Sequence, residues 1–323
     1  MNTKIKKILS LALAALLLLT CFTACSESGK KDSYTVGICQ LVTHDALDAA
    51  TEGFKQALID KLGEDKVTFM EKNAAGEPNT CVTIVNDFVS KNVDLIMANA
   101  TPALQAAANA TTEIPILGTS VTEYGVALEI DNFSGVVGSN ISGTSDLAPL
   151  EEQAQMIIDL VPEAKTVGML YCSAEANSDY QVKVVKEFLE GKGITVKDFS
   201  FSASSDVAQV AEAAAAACDA IYIPTDNTAA SCTETINNVV LPTKTPIIAG
   251  EAGICSGCGI ATLSISYYNL GYKTGEMAAA ILTGEEKIEE MAIAYDEAPV
   301  KKYNADICEE LGIAFPEGYE PLD

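Results

Sequence analysis

From residue 34 onward, short β-rich runs alternate with helical runs, and beyond residue 165 the same alternation starts afresh. In the first half the strand-like segments are 34–39, 67–72, 94–98, 115–119 and 135–138, with helical patterns near 45–61, 79–91 and 101–111. In the second they are 166–171, 194–200, 219–223, 246–250 and 260–265, with helices near 177–192, 204–218, 228–239 and 268–283. Strands separated by helices of this length imply parallel sheets covered on both faces. In 45–61, Leu47, Ala50, Phe54, Ala57 and Leu58 recur every three or four residues, which gives the helix one apolar face to lay on a sheet. The Ala-rich run 208–217 keeps the rhythm and has high helix propensity, so it reads as a close-packed helix. A chain of 323 residues, 48% of them hydrophobic, exceeds what one core usually holds, and two globular domains follow.

The joint between the halves is the polar stretch 139–146, whose hydroxyls, amides and acids suit a loop rather than a core strand. Ser145 and Asp146 stand at the N-cap of an apolar-periodic run, Leu147, Leu150, Ala154, Ile157 and Ile158, with Glu151 and Glu152 in its first turn. Free N–H groups and hydroxyls there suit a carboxylate, although an ordinary capped loop explains the same residues. At the other end of the chain, Lys4, Lys6 and Lys7 precede an apolar run, 8–19, and small residues before Cys25, the order of an export signal. That run is shorter than the ~20 residues of a membrane span. The polar segment 26–33 reads as a tether.

Charge and cysteine content exclude several functions. The formal net charge is −25 and every one of the 20 basic residues is lysine, which rules against nucleic acid as a partner. Without arginine, an anionic ligand group must be held by N–H groups, hydroxyls or lysine. Of the ten cysteines only Cys255 and Cys258 have ligand or redox spacing, and His44 is the sole histidine, so no metal site or cofactor is expected. Free thiols or a local disulfide remain open. No Gly-x-Ser-x-Gly elbow, phosphate-binding loop or His–Glu metal motif is present, and the adjacent Glu151 and Glu152 would diverge around a helix, which disfavours an enzyme.

Ligands of open parallel sheets bind at the carboxyl ends of strands, and there the polar residues gather. Gln40 to Asp45, Asn99 to Thr101 and Thr119 to Thr122 follow strands of the first half; Cys172 to Asn177, Pro224 to Thr228, and Glu251 follow strands of the second. On Val36-Gly-Ile-Cys-Gln40 with His44-Asp-Ala-Leu-Asp48, Gly118-Thr-Ser-Val-Thr122, Asn140-Ile-Ser-Gly-Thr-Ser-Asp146, Ser173-Ala-Glu-Ala-Asn-Ser178, Pro224-Thr-Asp-Asn-Thr228, Ala249-Gly-Glu251 and Tyr267-Tyr-Asn-Leu-Gly271, the chain resembles the type 1 periplasmic-binding-protein fold. Within that fold it resembles the ABC-transporter substrate-binding lipoproteins that include aromatic amino-acid (tryptophan, phenylalanine, tyrosine) binders. Asn99-Ala-Thr-Pro102 and the Cys255–Cys258 segment depart from the family pattern.

The resemblance implies an α/β fold of two doubly wound parallel-sheet lobes joined by a three-crossover hinge: residues 34–144 plus 266–288, and 145–265 plus 289–323. It implies a ligand, an amino acid and most readily an aromatic one, held between the lobes by closure. Thr119, Ser120 and Ser145 would offer N–H groups and hydroxyls to its carboxylate, and Asp226 or Asp146 would meet its ammonium. Glu251 would be a second ammonium partner or a hinge acid; Gln40, Thr101, Glu175, Asn177 and Asn227 complete the expected contacts, whereas His44 reads as a helix-entry residue. Phe22-Thr-Ala-Cys25 resembles a lipobox, with Leu18-Leu-Thr-Cys21 as a weaker competitor. It implies a lipid-anchored, palmitate-bearing monomer on the outer face of the cytoplasmic membrane that serves an ABC permease. A sensor for a membrane signalling partner, or an exported cleft enzyme, is the alternative.

Overall fold

The alternation becomes two parallel sheets in the computed structural model, which describes residues 31–295 and 299–322. The export segment and Cys25 lie outside the described residues, and the elements below all belong to one unit, Ser33–Asp323. In chain order the strands are β1 Tyr34–Gln40, β2 Val67–Asn73, β3 Leu95–Asn99, β4 Ile116–Val121, β5 Ile141–Ser145, β6 Thr166–Cys172, β7 Thr195–Phe201, β8 Ala220–Ile223, β9 Ile247–Ala249, β10 Ala261–Ser264, β11 Ala294–Tyr295, β12 Val300–Tyr303 and β13 Glu320–Pro321. The first sheet has the order β11-β5-β4-β3-β1-β2 and the second β13-β12-β10-β9-β8-β6-β7. Both contain the doubly wound order in which the first strand lies between the second and third, so each lobe has a switch point: β1/β3 in one, β6/β8 in the other.

Both faces of each sheet are apolar, as parallel strands require. In β3, Leu95 and Met97 pack with Val36, Ile38, Phe54 and Leu58 on one side, while Ile96 and Ala98 pack with Val85, Phe88 and Leu104 on the other. In the second lobe Val167, Met169 and Tyr222 meet the helices Leu150–Leu160 and Ala176–Gly191, and Leu170, Ile221 and Ile223 meet Val207–Ala217 and Thr233–Val240.

The chain passes between lobes three times: after β5 into the helix Leu150–Leu160, after β10 into the helix Tyr267–Thr283, and after β11 towards β12. Three expectations are corrected at these passages. Residues 135–138 carry only an isolated bridge, Val136 to Ala292, and the fifth strand is Ile141–Ser145, inside the stretch read as a loop. Its polar side chains tolerate burial because each meets a partner: Ser142 Oγ donates to Met291 O at 3.2 Å, Thr144 Oγ1 meets Thr274 Oγ1 at 2.8 Å, and Ser145 Oγ donates to Thr122 O at 2.7 Å. Consequently the next helix begins at Leu150 with Pro149 at its N-cap, and neither Ser145 nor Asp146 caps it. Finally, Ala294–Tyr295 pairs with Thr144 and Ser145 in the first sheet, so the stretch from 289 does not belong wholly to the second lobe.

Candidate functional site

Among the described residues the buried charged side chains are Asp146, Glu175, Asp226 and Glu251. All are acidic, and each follows the carboxyl end of a strand facing the gap between the lobes. The lysine ion pairs, such as Lys55–Glu71 and Lys186–Asp198, are at the outer surface. Burial accordingly pushes Asp146 up to about 6 and Glu251 to about 7; Asp226 rises to about 7 through burial and the neighbouring Glu175.

The acids differ in what already satisfies them. Glu175 Oε2 accepts from Asn227 N and Nδ2 at 3.1 and 2.6 Å, and Oε1 accepts from Thr228 N and Oγ1 at 2.9 and 2.8 Å. Asp226 caps the helix Asn227–Ala230: Oδ1 accepts from Ala229 N at 2.8 Å, and Oδ2 accepts from Cys172 N at 2.6 Å and Ser178 Oγ at 2.7 Å. Glu251 caps Ala252–Cys258 through Gly253 N and Ile254 N. Asp146 alone has an oxygen, Oδ1, outside any close hydrogen bond; its Oδ2 accepts from Tyr267 Oη at 3.0 Å, and the Thr122 side chain stands beside the carboxylate.

Three further buried atoms without partners lie on the same rims: Asn99 Oδ1, Ser120 Oγ and Asn177 Oδ1. Asn99 and Asn177 stand at the two switch points, at the end of β3 and in the first turn of the helix after β6. Ser120 has φ 53, at an irregularity in the β4–β5 register, and Ala100, beside Asn99, has φ 89. Left-handed non-glycine residues of this kind concentrate at ligand clamps. Native structures leave few buried polar atoms unpaired, and with Asp146 Oδ1 four of them lie at or just beyond the carboxyl ends of strands, while Thr262 Oγ1 lies within β10.

Several expected contacts are engaged within their own lobe. Gln40 donates to Val42 O and Asp48 Oδ1 and accepts from Thr51 Oγ1, tying β1 to the helix Asp45–Leu62. Thr119 Oγ1 meets Thr144 Oγ1 at 3.3 Å, and Ser145 Oγ bridges Thr122 O and Leu147 N. Thr101 is buried in the first turn of the helix Thr101–Ala110. Asn227 Oδ1 faces His44 Nε2 at 3.3 Å across the lobes. Sequence reasoning placed Asn99 at a strand end without counting it among the contacts, and missed the role of Tyr267. Tyr267 reaches Asp146 from the second crossover with Thr225 of the other lobe beside its hydroxyl.

A cavity of about 230 Å³ opens where the switch points face each other. Leu41, Val42 and Pro102 line it from the first lobe and Cys172, Glu175 and Thr228 from the second. Among the described residues no group of three or more His, Cys, Asp or Glu is placed to hold a metal. The thiols of Cys255 and Cys258 each donate to a helix carbonyl or loop carbonyl, Gly259 O and Ile254 O.

Comparison with known proteins follows this geometry. Residues 35–319 match the family described as ABC transporter substrate binding protein. The chain is 38% identical over 301 residues to the tyrosine-binding protein of Clostridioides difficile strain R20291, covering 87% of this chain and 86% of that protein. It superimposes with a TM-score of 0.85 on an ABC domain from Streptococcus pneumonia in complex with L-Trp, at 29% identity and covering 90% and 100% of the two chains. With the ligand-free, open form of a substrate binding protein from Clostridium difficile the TM-score is 0.68, at 35% identity and covering 90% and 99%. Of these two structures, the one with the higher identity thus superimposes less well.

Proposed function

The chain belongs to the ABC transporter substrate-binding protein family, and we propose that its cleft captures an aromatic α-amino acid and closes on it. Members of this family work outside the cytoplasm and deliver a small molecule to a permease. The observation that carries the ligand class is the set of buried acids, with no buried lysine among the described residues; one of these acids, Asp146, keeps an oxygen free. An ammonium group supplies the missing charge. Asp226, the other expected partner, already accepts from three donors of its own lobe, so Asp146 takes this role. The carboxylate goes to Ser120 and to the N–H groups opening the helix Thr101–Ala110, where the helix dipole favours an anion. The ring enters the cavity beside Leu41, Val42 and Pro102. The tyrosine-binding relative and the L-Trp complex support the aromatic side chain.

The lobes 34–145 plus 266–295 and 146–265 plus 300–322 move as two bodies about the three passages, and a ligand that touches both only when they are closed shifts the population to the closed state. No chemical step is assigned to the cleft. Cys25, lipidated and then made the mature N-terminus by cleavage of the export signal, anchors a monomer to the outer face of the membrane. Calorimetry with L-tyrosine, L-tryptophan and L-phenylalanine against a sugar and a nucleoside tests the ligand. Binding of the sugar or nucleoside alone contradicts the aromatic assignment. Labelled palmitate should enter the parent but not Cys25→Ala, and equal labelling contradicts the anchor.

A further inference from the structure

The geometry points to His44 as a latch between the lobes: it stabilises the closed cleft through Asn227 without touching the ligand, and sets affinity through the closed fraction. The imidazole stands at the end of the loop after β1, ahead of the helix Asp45–Leu62, and its Nε2 lies 3.3 Å from Asn227 Oδ1 of the other lobe. The orientation of the Asn227 amide is fixed, because its Nδ2 donates to Glu175 Oε2 at 2.6 Å. Oδ1 therefore faces the histidine as an acceptor, and His44 Nε2 carries the hydrogen. Glu175 is in turn anchored by Thr228, so the second lobe presents a rigid acceptor to a ring on the first. On the far side of this contact a cavity of about 280 Å³ is lined by Thr43, His44, Asp45 and Asp48 from one lobe and Thr233, Glu251 and Gly253 from the other. The latch thus stands between two water-accessible spaces, where lobe separation breaks it without disturbing either core.

The contact has a proton-dependent side. Burial lowers the His44 pKa from its ordinary 6.5 and outweighs the Asn227 contact itself, Glu175 across the gap, and Asp48 and Asp45 on the histidine's own helix, all of which favour imidazolium; Glu251 lines the same cavity. A group whose pKa falls on closure releases its proton when the lobes meet, so protonation of His44 favours the open state. Closure then becomes harder as pH falls below about 6.5, the ordinary histidine value. The buried carboxylates titrate nearby, but they are common to parent and histidine variants, and a comparison of the two isolates the single imidazole.

This inference rests on the closing-cleft reading, and its test separates the two. L-tyrosine binding is measured by calorimetry at pH 7.5 and 5.5 for the parent, His44→Ala and His44→Gln, with thermal melting to confirm folding. Small-angle scattering of each protein without ligand reports the closed fraction. A glutamine amide places an N–H near Nε2 but does not titrate. At pH 7.5 His44→Ala should bind about three- to tenfold more weakly, the range expected for one hydrogen bond, and should scatter as a more open molecule; His44→Gln should match the parent. At pH 5.5 the parent should weaken relative to His44→Gln, by up to about tenfold, since an imidazole of ordinary pKa is then about nine-tenths protonated in the open state. Parent-like affinity and scattering in His44→Ala overturns the latch. A pH response of His44→Gln equal to that of the parent removes its proton-dependent part. If the parent fails to bind L-tyrosine the ligand assignment falls, while the scattering difference still decides for or against the latch.

Discussion

Asp226 and Asp146 show how two acids that look alike in sequence are separated by their donors. Both follow a strand and both are buried, but Asp226 accepts from Ala229 N, Cys172 N and Ser178 Oγ, whereas Asp146 accepts from Tyr267 and has Oδ1 outside any close hydrogen bond. Asp226→Ala strands a helix N-terminus and a buried backbone N–H, so it should lower stability by about 2–4 kcal/mol in a denaturant melt. Asp146→Asn keeps the shape and the Tyr267 contact but removes the charge. It should stabilise the ligand-free protein at pH 8 by up to about 3 kcal/mol, because it removes a carboxylate held above its ordinary pKa, and weaken amino-acid binding by about thirtyfold, as loss of a charged partner costs about 2 kcal/mol or more. A reversed pattern, with Asp226→Ala folded normally but unable to bind, would exchange their roles. The sequence could place both acids on the rim of a cleft because strand ends are legible. It could not distinguish them, because the donors to Asp226 come from residues about 50 positions earlier.

At the scale of elements, the doubly wound lobes were readable because their strands and helices carry strong local patterns. The β5 strand was not, since Ser142, Thr144 and Ser145 look like loop residues until Met291, Thr274 and Thr122 supply their partners. Its Gly143 has φ 145 and sits against Gly118, where a Cβ would overlap the Gly118 carbonyl oxygen, so within a stretch read as a loop this glycine permits two strands and Tyr124 to meet. The same logic governs the helix Tyr267–Thr283, which returns to the first lobe and lies along Asp45–Leu62. A methyl at Gly271 would overlap Ala50 O, and one at Gly53 would overlap Tyr268 O. Gly271→Ala must therefore push the helices apart, despite alanine's higher helix propensity of about 1 kcal/mol. Overpacking of this kind should cost about 1–3 kcal/mol net in thermal or denaturant unfolding. A variant more stable than the parent would mean that the helices do not approach this closely.

For the whole molecule, the buried acids couple stability, pH and ligand. Asp146 and Glu251 have folded pKa values of about 6 and about 7, above their ordinary 3.8 and 4.5, and Asp226 is raised in the same direction. Between ordinary and raised values the folded protein holds protons that the unfolded chain has released, so their contribution is full below about pH 4 and is lost as pH rises through about 6 to 7. His44, lowered on folding, acts oppositely, but it is one group against three. The ligand-free protein should therefore melt higher at pH 5 than at pH 8, with Asp146 alone accounting for about 1.4 kcal/mol of that difference, one pKa unit at 1.36 kcal/mol per unit. An amino-acid ammonium beside Asp146 does at pH 8 what the proton does at pH 5. Saturating L-tyrosine should hence raise the melting temperature more at pH 8 than at pH 5, beyond the mass-action gain common to both. Differential scanning calorimetry at the two pH values, with and without ligand, measures both quantities, and Asp146→Asn should flatten the difference. A ligand-free melting temperature that rises from pH 5 to pH 8 would mean that these carboxylates are compensated by a cation already present, and the argument for an ammonium ligand would lose its basis.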